Sequence, residues 1–328
     1  MNFKSIGRTG LQVSQLCLGT MTFGNEADEN TSGEIFRAAR ERGLNFIDTA
    51  DVYGKGKTEE IVGRLLSDCR EEWIVCSKFQ GRMGDGPNDR GCSRRYLSRA
   101  VEASLRRLKT DRIEFYFIHN VDALTPLEET LTGLDDLVRQ GKILYPAISN
   151  AAAWQIMKGL GISERKNFTR FECIQPMYNL VKRQAEVEIL PLAKSEEVGV
   201  ISYSPIAAGL LSGKYLRNDG KAVGRLTENK FYSVRYEEEN NKETARSFAK
   251  LCTSRNWNPT TVAIAWVGAH SAITAPIIGA RNLEQINMAL DAAEFPMTAE
   301  LRQEIAGLSS EPPLATDRRD EQKGMFMH

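Results

Sequence analysis

The sequence predicts a barrel of eight parallel strands, each followed by a helix. Two observations carry this. Short apolar runs bounded by glycine or polar residues alternate with longer stretches whose apolar residues recur at helical spacing. Each short run also ends in polar or titratable residues, as expected where buried parallel strands open their carboxyl ends onto one face. A chain of 328 residues suggests two domains on average, but α/β barrels of ~250 residues or more routinely form one. Residues 1–328 therefore read as one barrel domain, with 311–328 as a peripheral tail.

The elements follow in order. Apolar residues flank Gly7 and Gly10 in Phe3–Ser14, which predicts a small N-terminal hairpin. Leu16–Leu18 is the first buried strand and ends at Gly19, Thr20 and Met21. A helix over Glu34–Arg42 stops at Gly43. Leu44–Tyr53 begins as a strand and breaks into Asp48, Thr49, Ala50, Asp51 and Tyr53; a helix over Thr58–Asp68 follows. Trp73–Ser77 leads to Lys78. Ser93 caps a helix to about Leu108. Ile113–Ile118 ends at His119 and Asn120, and Pro126–Gln140 is helical. Ile143–Ile148 ends at Ser149 and Asn150, before a helix over Ala151–Gly159. Phe171–Ile174 ends at Gln175, and a helix is expected over Ala185–Val198, unless Pro191 marks a later start. Val200–Ser202 ends at Tyr203, Ser204 and Pro205. Ala207–Asn240 has no period and reads as a long loop, a form usually functional inside a compact domain. Helices over Glu243–Arg255 and Thr260–Val267 precede the last strand, Ile277–Ile278, which ends at Gly279, Ala280 and Arg281. Extra C-terminal helices span Leu283–Ala292 and Ala299–Leu308.

Composition narrows the function. Hydrophobic residues at 41% and charged residues at 26% are ordinary for a soluble globular chain, and the formal net charge is zero. Nothing there favours a nucleic acid or an anionic membrane as partner. Six cysteines form no C-x-x-C pair and there are only three histidines, so no metal site is expected. Met1–Arg8 is polar, and no apolar run approaches ~18 residues, so a cytoplasmic location is the default expectation.

The strand ends carry the chemistry. An acid (Asp48), a lysine (Lys78), a histidine (His119) and a nearby tyrosine (Tyr53) converge on one mouth. For any one of them alone, helix capping or packing is as good a reading. Together they suit proton transfer by a phenol. Tyrosine has a pKa of about 10, roughly three units too high for neutral pH. A lysine ammonium lowers it, a carboxylate fixes the lysine, and a neutral histidine orients a substrate oxygen. No nucleophile with an adjacent base is evident, so a bound electron source is implied. Gly54–Thr58 lacks the spacing of a phosphate loop, and no G-x-G-x-x-G follows a strand. A hydrolase using Asp48 and Asp51 is a weaker alternative, because a loop does not control their separation. His270 and His328 lie outside the strand ends.

The stretch N-F-I-D-T-A-D-V-Y-G, with Glu60-x-x-Gly63 after it, resembles the signature of the aldo-keto reductase family. The similarity continues through Ser104–Ile113, F-I-H at 117–119, I-S-N at 148–150, Q-P-M-Y-N-L at 175–180, S-Y-S-P-I-A-A-G-L-L-S-G-K at 202–214 and P-I-I-G-A-R-N-L-E-Q at 276–285. The resemblance implies a (β/α)₈ barrel that binds NADP(H) across its mouth and reduces small-molecule aldehydes or ketones. It places Asp48, Tyr53, Lys78 and His119 as the catalytic tetrad, with Tyr53 as general acid. Gly19, Thr20, Met21 and Asp48 would border the cofactor. Ser149, Asn150 and Gln175 would hold its carboxamide, and Tyr178 or Tyr203 would stack on the nicotinamide. Ser204, Pro205, Ile206, Gly209 and Lys214 would clamp the pyrophosphate, and Gly279, Arg281 and Gln285 the 2′-phosphate end. Phe23, Tyr53, Phe79, His119 and Asn120 are the candidate pocket wall. The family also contains potassium-channel β-subunits, so a cofactor-sensing regulatory subunit is the alternative. Two departures stand out. Met288 and Ala289 replace the family's Glu-Asn, which removes an adenine contact, and Asn120-Val121 replaces the usual pair before Asp122.

Overall fold

The computed structural model describes residues 1–216, 223–316 and 318. Its centre is a closed barrel of eight strands, every neighbouring pair parallel. Ahead of it lies the predicted hairpin, β1 (Phe3–Ser5) and β2 (Gln12–Ser14), paired antiparallel from Phe3↔Ser14 to Ser5↔Gln12. Its turn uses Gly7 and Gly10 in the left-handed region, at φ 55° and 73°. The barrel strands are β3 (Cys17–Gly19), β4 (Phe46–Asp48), β5 (Ile74–Phe79), β6 (Ile113–Ile118), β7 (Ile143–Ser149), β8 (Cys173–Gln175), β9 (Gly199–Ser202) and β10 (Ala275–Ile278). β10 closes the ring between β9 and β3.

Two apolar layers explain why these sequences are strands. Inside the ring, Cys17, Phe46, Cys76, Phe115, Phe117, Ala147, Cys173, Ile201 and Ala275 form one buried cluster. Ile6 and Val13 of the hairpin join it, so the hairpin plugs the amino end of the barrel. Gly199 is needed there, because a Cβ would sit 2.4 Å from Ile6 Cγ1. The alternate strand residues face outward into a larger layer shared with the helices. With one end plugged, only the carboxyl ends of the strands face open space.

The surrounding helices are α1 (Glu29–Glu41), α2 (Lys57–Leu65), α3 (Arg94–Leu108), α4 (Leu127–Arg139), α5 (Ala153–Lys166), α6 (Ile189–Ser195), α7 (Arg225–Glu228), α8 (Lys230–Arg235), α9 (Glu239–Ser254), α10 (Pro259–Gly268), α11 (Leu283–Leu290) and α12 (Ala299–Ala306). Ser93 caps α3, accepting from Tyr96 N, as its position predicts. Two expectations need correction, and of the two starts left open for the helix at 185–198 the later one holds. α5 does not stop at Gly159; that glycine is a packing site, where a Cβ would meet the Phe171 ring at 2.5 Å. α6 starts only at Ile189, with Pro191 in its first turn, and Gln184–Glu186 is a separate 3₁₀ turn. Ala207–Asn240 is not one loop. It holds 3₁₀ turns at Ala207–Ser212 and Lys214–Leu216, then α7, α8 and the start of α9. Asn229 caps α8 by accepting from Phe231 N. These helices are too short to leave a period in the sequence, and residues 217–222 lie outside the described residues, as does most of the 311–328 tail. Among the described residues no helix is long and apolar enough to cross a membrane, and all six cysteines are unpaired and buried.

Gly63 marks where α2 crosses α3. A Cβ there would lie 2.4 Å from Arg107 O and 2.7 Å from Leu108 C, both main-chain atoms that cannot step aside. Gly63→Ala should therefore destabilise the fold by roughly 1–3 kcal/mol. Gly161→Ala in α5, whose Cβ would meet only the Arg165 side chain at 3.9 Å, should be neutral or stabilising by up to ~1 kcal/mol. Urea denaturation midpoints of the two variants check this, and equal midpoints would contradict it.

Candidate active site

The open end of the barrel brings together the residues that the strand ends pointed to. Asp48 ends β4, and its neighbour in register on β3 is Gly19. Lys78 lies on β5 and is fully buried. Its Nζ donates to Asp48 Oδ2 at 2.6 Å, to Thr49 O at 2.8 Å and to Tyr53 Oη at 3.3 Å, which uses all three ammonium protons. The second Asp48 oxygen, Oδ1, accepts from Gln175 Nε2 on β8 at 2.8 Å. Asp48 is therefore no helix cap.

Tyr53 reaches the lysine because the chain past β4 stays tied to β5. Thr49 N donates to Cys76 O, and Asp51 N to Lys78 O. The chain then reverses through Gly54, Lys55 and Gly56 at φ 55°, 53° and 95°. Lys55 is the strained member, since a left-handed conformation is unfavourable for it. His119 follows β6, and its ring meets Tyr53 edge-on at 6.0 Å between centroids.

The electrostatics separate the roles. Burial alone would pull the Lys78 ammonium down, but the Asp48 carboxylate and the Tyr53 phenol together more than offset it and hold the lysine charged. Burial pushes the Tyr53 phenol above its usual value; Lys78 pulls it down without overcoming burial. The lowered phenol expected from the sequence is thus not the net result, and Tyr53 keeps its proton. Burial, and then the nearby Lys78 charge, lower His119 to about 3, so its imidazole is neutral.

Other predicted residues fall around this core. Thr20 is buried and donates from Oγ1 to Asp48 O. Ser149 Oγ donates to Gln175 O. Asn150, at φ 53°, donates to His119 O and Ser149 Oγ and accepts from Tyr203 Oη at 2.7 Å. Pro205 and Ile206 continue the chain past Tyr203 and Ser204. Lys214 Nζ donates to Val223 O at 3.1 Å. Beyond Gly279, Arg281 N donates to Gln285 Oε1, and its guanidinium meets Glu228 at 3.3 Å and Glu26 at 3.6 Å. Ala289 is buried and Met288 is half-buried. Asn120 is exposed and touches Gln80 at 3.4 Å.

Some predicted residues do not reach the mouth. Phe23 and Phe79 are fully buried core residues, Phe79 being stacked on Tyr116, and neither lines a pocket. Tyr178 is also fully buried. It stacks on Trp266 and its hydroxyl pairs with Glu186 and Arg302, so Tyr203 is the tyrosine of the two that sits at the mouth. His270 packs against Tyr178. Asp51 is 1% exposed with neither oxygen hydrogen-bonded, and burial, then Glu59, raise it to about 7. It does not share the mouth with Asp48, which removes the support for a two-carboxylate hydrolase.

One residue was missed. Tyr232 on α8 reaches back over the mouth, where its hydroxyl donates to Met21 Sδ at 3.8 Å and its phenol acts electrostatically on Tyr53. The sequence carried a signal: F-Y-S-V-R-Y at 231–236 is an aromatic cluster in an otherwise polar segment.

The state of His119 can be tested directly. Its folded value of about 3 lies below the ordinary 6.5. Below pH 6.5 the unfolded chain binds this proton and the native chain does not, so this group makes stability fall as pH drops from about 6.5 toward 3. Imidazole NMR should show His119 neutral down to about pH 4. Titration near pH 6.5 would contradict the burial argument.

Comparison with known proteins agrees with this geometry. The sequence profile described as "Aldo/keto reductase family" matches residues 15–310. The chain is 38% identical over 312 residues to the uncharacterized oxidoreductase YrpG of Bacillus subtilis (strain 168), covering 92% of this chain and 94% of that protein. It is 32% identical over 328 residues to the probable voltage-gated potassium channel subunit beta of Oryza sativa subsp. japonica, covering 97% and 99%. It is 32% identical over 330 residues to aldo-keto reductase AFTS1 of Alternaria alternata, covering 91% and 89%. A profile match over most of the chain, on a closed parallel barrel with this strand-end chemistry, leads to one conclusion: the protein belongs to the aldo/keto reductase family of oxidoreductases.

Proposed function

We propose that this protein reduces aldehydes or ketones to alcohols with NADPH, and that Tyr53 donates the proton. One observation carries the reading. Lys78 donates to the phenol oxygen at 3.3 Å, which leaves the phenol's own proton to be given into the mouth. Asp48 and Gln175 hold the lysine in place, and the neutral His119 beside Tyr53 is suited to hydrogen-bond and orient a carbonyl oxygen.

The donor set suits a phosphorylated dinucleotide. Ser204, Ala207, Ala208 and Gly209 take left-handed φ values of 59°, 51°, 56° and 92°, turns of the kind that form anion-binding nests. Gly209 and Gly224 leave room for Lys214, since a Cβ on Gly224 would lie 2.4 Å from its Nζ. Gln175 spends Nε2 on Asp48, so Oε1 is the atom left to accept from a carboxamide. Ser149 and Asn150 flank it, and Tyr203 offers a ring for stacking. The bound reduced nicotinamide supplies the hydride. Arg281 would hold the 2′-phosphate, for which a guanidinium is well matched in charge and geometry. That phosphate must compete with Glu26 and Glu228 for it. A ribose hydroxyl competes less well, which favours NADPH over NADH.

The alternative is a cofactor-sensing regulatory subunit, a reading favoured by the name of the rice relative. The assembled Asp48, Tyr53, Lys78 and His119 favour turnover. A screen of aldehydes, ketones and dicarbonyls with NADPH distinguishes the two. NADPH binding followed by nicotinamide fluorescence, with no turnover on any carbonyl, would support the regulatory subunit. Absence of NADPH binding would defeat both.

Tyr53→Phe removes one hydroxyl and keeps the ring. Single-turnover hydride transfer should fall by roughly 10²–10⁴-fold or more, with NADPH affinity little changed. Lys78→Met should act through the same phenol, so the double variant should be far from additive. A Tyr53→Phe protein that kept over half the wild-type rate would rule out Tyr53 as the proton donor.

Arg281→Ala should raise the dissociation constant for NADPH more than that for NADH. Equal losses would show that Arg281 does not discriminate between them.

A further inference from the structure

Behind the catalytic strands lies a buried polar layer. Asp48 is in register with Cys76, which belongs to the cluster inside the barrel. The ladder continues past β4, with Thr49 N donating to Cys76 O at 2.9 Å and Asp51 N to Lys78 O at 3.2 Å. Side chains alternate along it, so Thr49 and Asp51 face outward, away from Asp48 and Lys78. Ser77 and its register neighbour Tyr116 face the same way. Ser77 Oγ donates to Glu59 Oε1 of α2 at 2.5 Å, and Arg107 Nε of α3 donates to Glu59 Oε2 at 2.7 Å. Thr49, Glu59, Ser77, Tyr116 and Asp51 are all closed off from water.

Asp51 is the odd group in this layer. Two carboxyl groups, Asp51 and Glu59, share it with the Arg107 guanidinium, and Arg107 is committed to Glu59. Neither Asp51 oxygen has a well-formed hydrogen bond, and nor has Thr49 Oγ1. The groups that face Asp51 are Glu59 from α2, Arg107 and Tyr96 from α3, Lys78 from β5 and Tyr116 from β6. Burial, then Glu59, raise it to about 7; Arg107, the Val52 N–H and Lys78 lower it without offsetting them. A carboxyl kept out of water without a fixed partner costs stability, so a purely structural account favours an apolar or amide side chain here. The place of Asp51 in the chain is the informative point. It opens the turn that carries Tyr53, whose N donates to Ala50 O at 3.2 Å. The turn closes at Gly56, where a Cβ would lie 2.8 Å from Arg107 Cδ. Asp51 thus ties one end of the turn to β5, and Arg107 lies against the other.

We infer that Asp51 is a positioning residue for Tyr53, and that the turn holds the phenol against Lys78 in its working place only while the Asp51 carboxyl keeps its proton. This rests on the reading of Tyr53 as proton donor. As the neutral acid, Asp51 leaves Arg107 with Glu59 and the layer carries no net charge. Loss of that proton to solvent puts a second carboxylate beside one guanidinium. Arg107 is then drawn from Glu59 and away from Gly56, and the new negative charge opposes the pull of Lys78 on the phenol. Each change makes Tyr53 a poorer proton donor.

The test follows single-turnover hydride transfer from NADPH to benzaldehyde in wild type, Asp51→Asn and Glu59→Gln. Wild type should lose about threefold or more in rate between about pH 6 and about pH 8, with its midpoint at about 7 and NADPH affinity unchanged. Asp51→Asn cannot ionise and should keep its low-pH rate across this range. Glu59→Gln should move the midpoint down by removing a like charge. Because Asp51 is raised above its unfolded value, its contribution to wild-type stability falls as pH rises from about 4 to about 7. The urea midpoint of Asp51→Asn should therefore match or exceed that of wild type at about pH 8. A second arm needs no turnover. The Tyr53 ring resonance, assigned by its loss in Tyr53→Phe, should shift with a midpoint at about pH 7 in wild type and stay fixed in Asp51→Asn. If no carbonyl is reduced, the carbonyl-reductase reading fails while this arm still decides the coupling of Asp51 to Tyr53. The inference is overturned if rate or resonance titrates alike in wild type and Asp51→Asn, if neither titrates near pH 7 in wild type, or if Asp51→Asn lowers the urea midpoint at about pH 8.

Discussion

The buried ion pair between Lys78 and Asp48 is the constraint on which the site depends. Both side chains are almost completely removed from water, 0% and 4% exposed. Removing two charges from water costs several kcal/mol each, and the pair persists only because its geometry is tight and the remaining donors and acceptors are satisfied. Lys78 meets that demand with Asp48, Thr49 and Tyr53, and Asp48 with Lys78 and Gln175. One network thereby ties β4, β5, β8 and the turn that carries Tyr53. The Tyr53 phenol is placed by the same contacts that make a charged lysine tolerable in the interior.

That arrangement is possible only at one end of the barrel. The hairpin fills the amino end with Ile6 and Val13, so the interior is filled with buried apolar side chains up to the level of Asp48 and Lys78. Above that level the chain is irregular and the backbone conformations are unusual: Asn150, Ser204, Ala207 and Ala208 all have positive φ. A rigid apolar ring below and strained turns above is how barrels of this kind separate stability from chemistry. Burial is strong enough to dictate charge states. It keeps Tyr53 protonated and His119 neutral, with the two rings in edge-on contact.

The mouth is also asymmetric in charge. Arg225 and Arg235 both approach the Tyr232 ring, at 5.5 Å and 5.4 Å from its centroid; Arg225 and Arg281 approach Glu26 and Arg281 meets Glu228, whereas among the described residues Arg235 has no carboxylate within salt-bridge range.

Much of this was legible in the sequence because it is encoded locally. Eight apolar runs, the Gly7–Gly10 hairpin, the Ser93 cap and the polar residues at each strand end are properties of short segments, and period and turn chemistry read them directly. The resemblance extended this to Asp48, Tyr53, Lys78 and His119 as one set. The tertiary structure decided what depends on contacts between distant segments. The helix expected to end at Gly159 runs on to Lys166, and Gly159 is a point of close approach to Phe171. Phe23 and Phe79 were plausible wall residues and Tyr178 a plausible stacking partner for the cofactor, but burial is a property of the packed molecule, and all three lie in its core. The charge state of Tyr53 balances desolvation against Lys78, and no spacing in a sequence contains that balance. Tyr232 lies on a helix too short to leave a period, and its place over the mouth exists only because α8 folds back across it to reach Met21. Segment-by-segment chemistry was therefore set by the chain itself, while burial, proximity and charge balance arose only when the segments met.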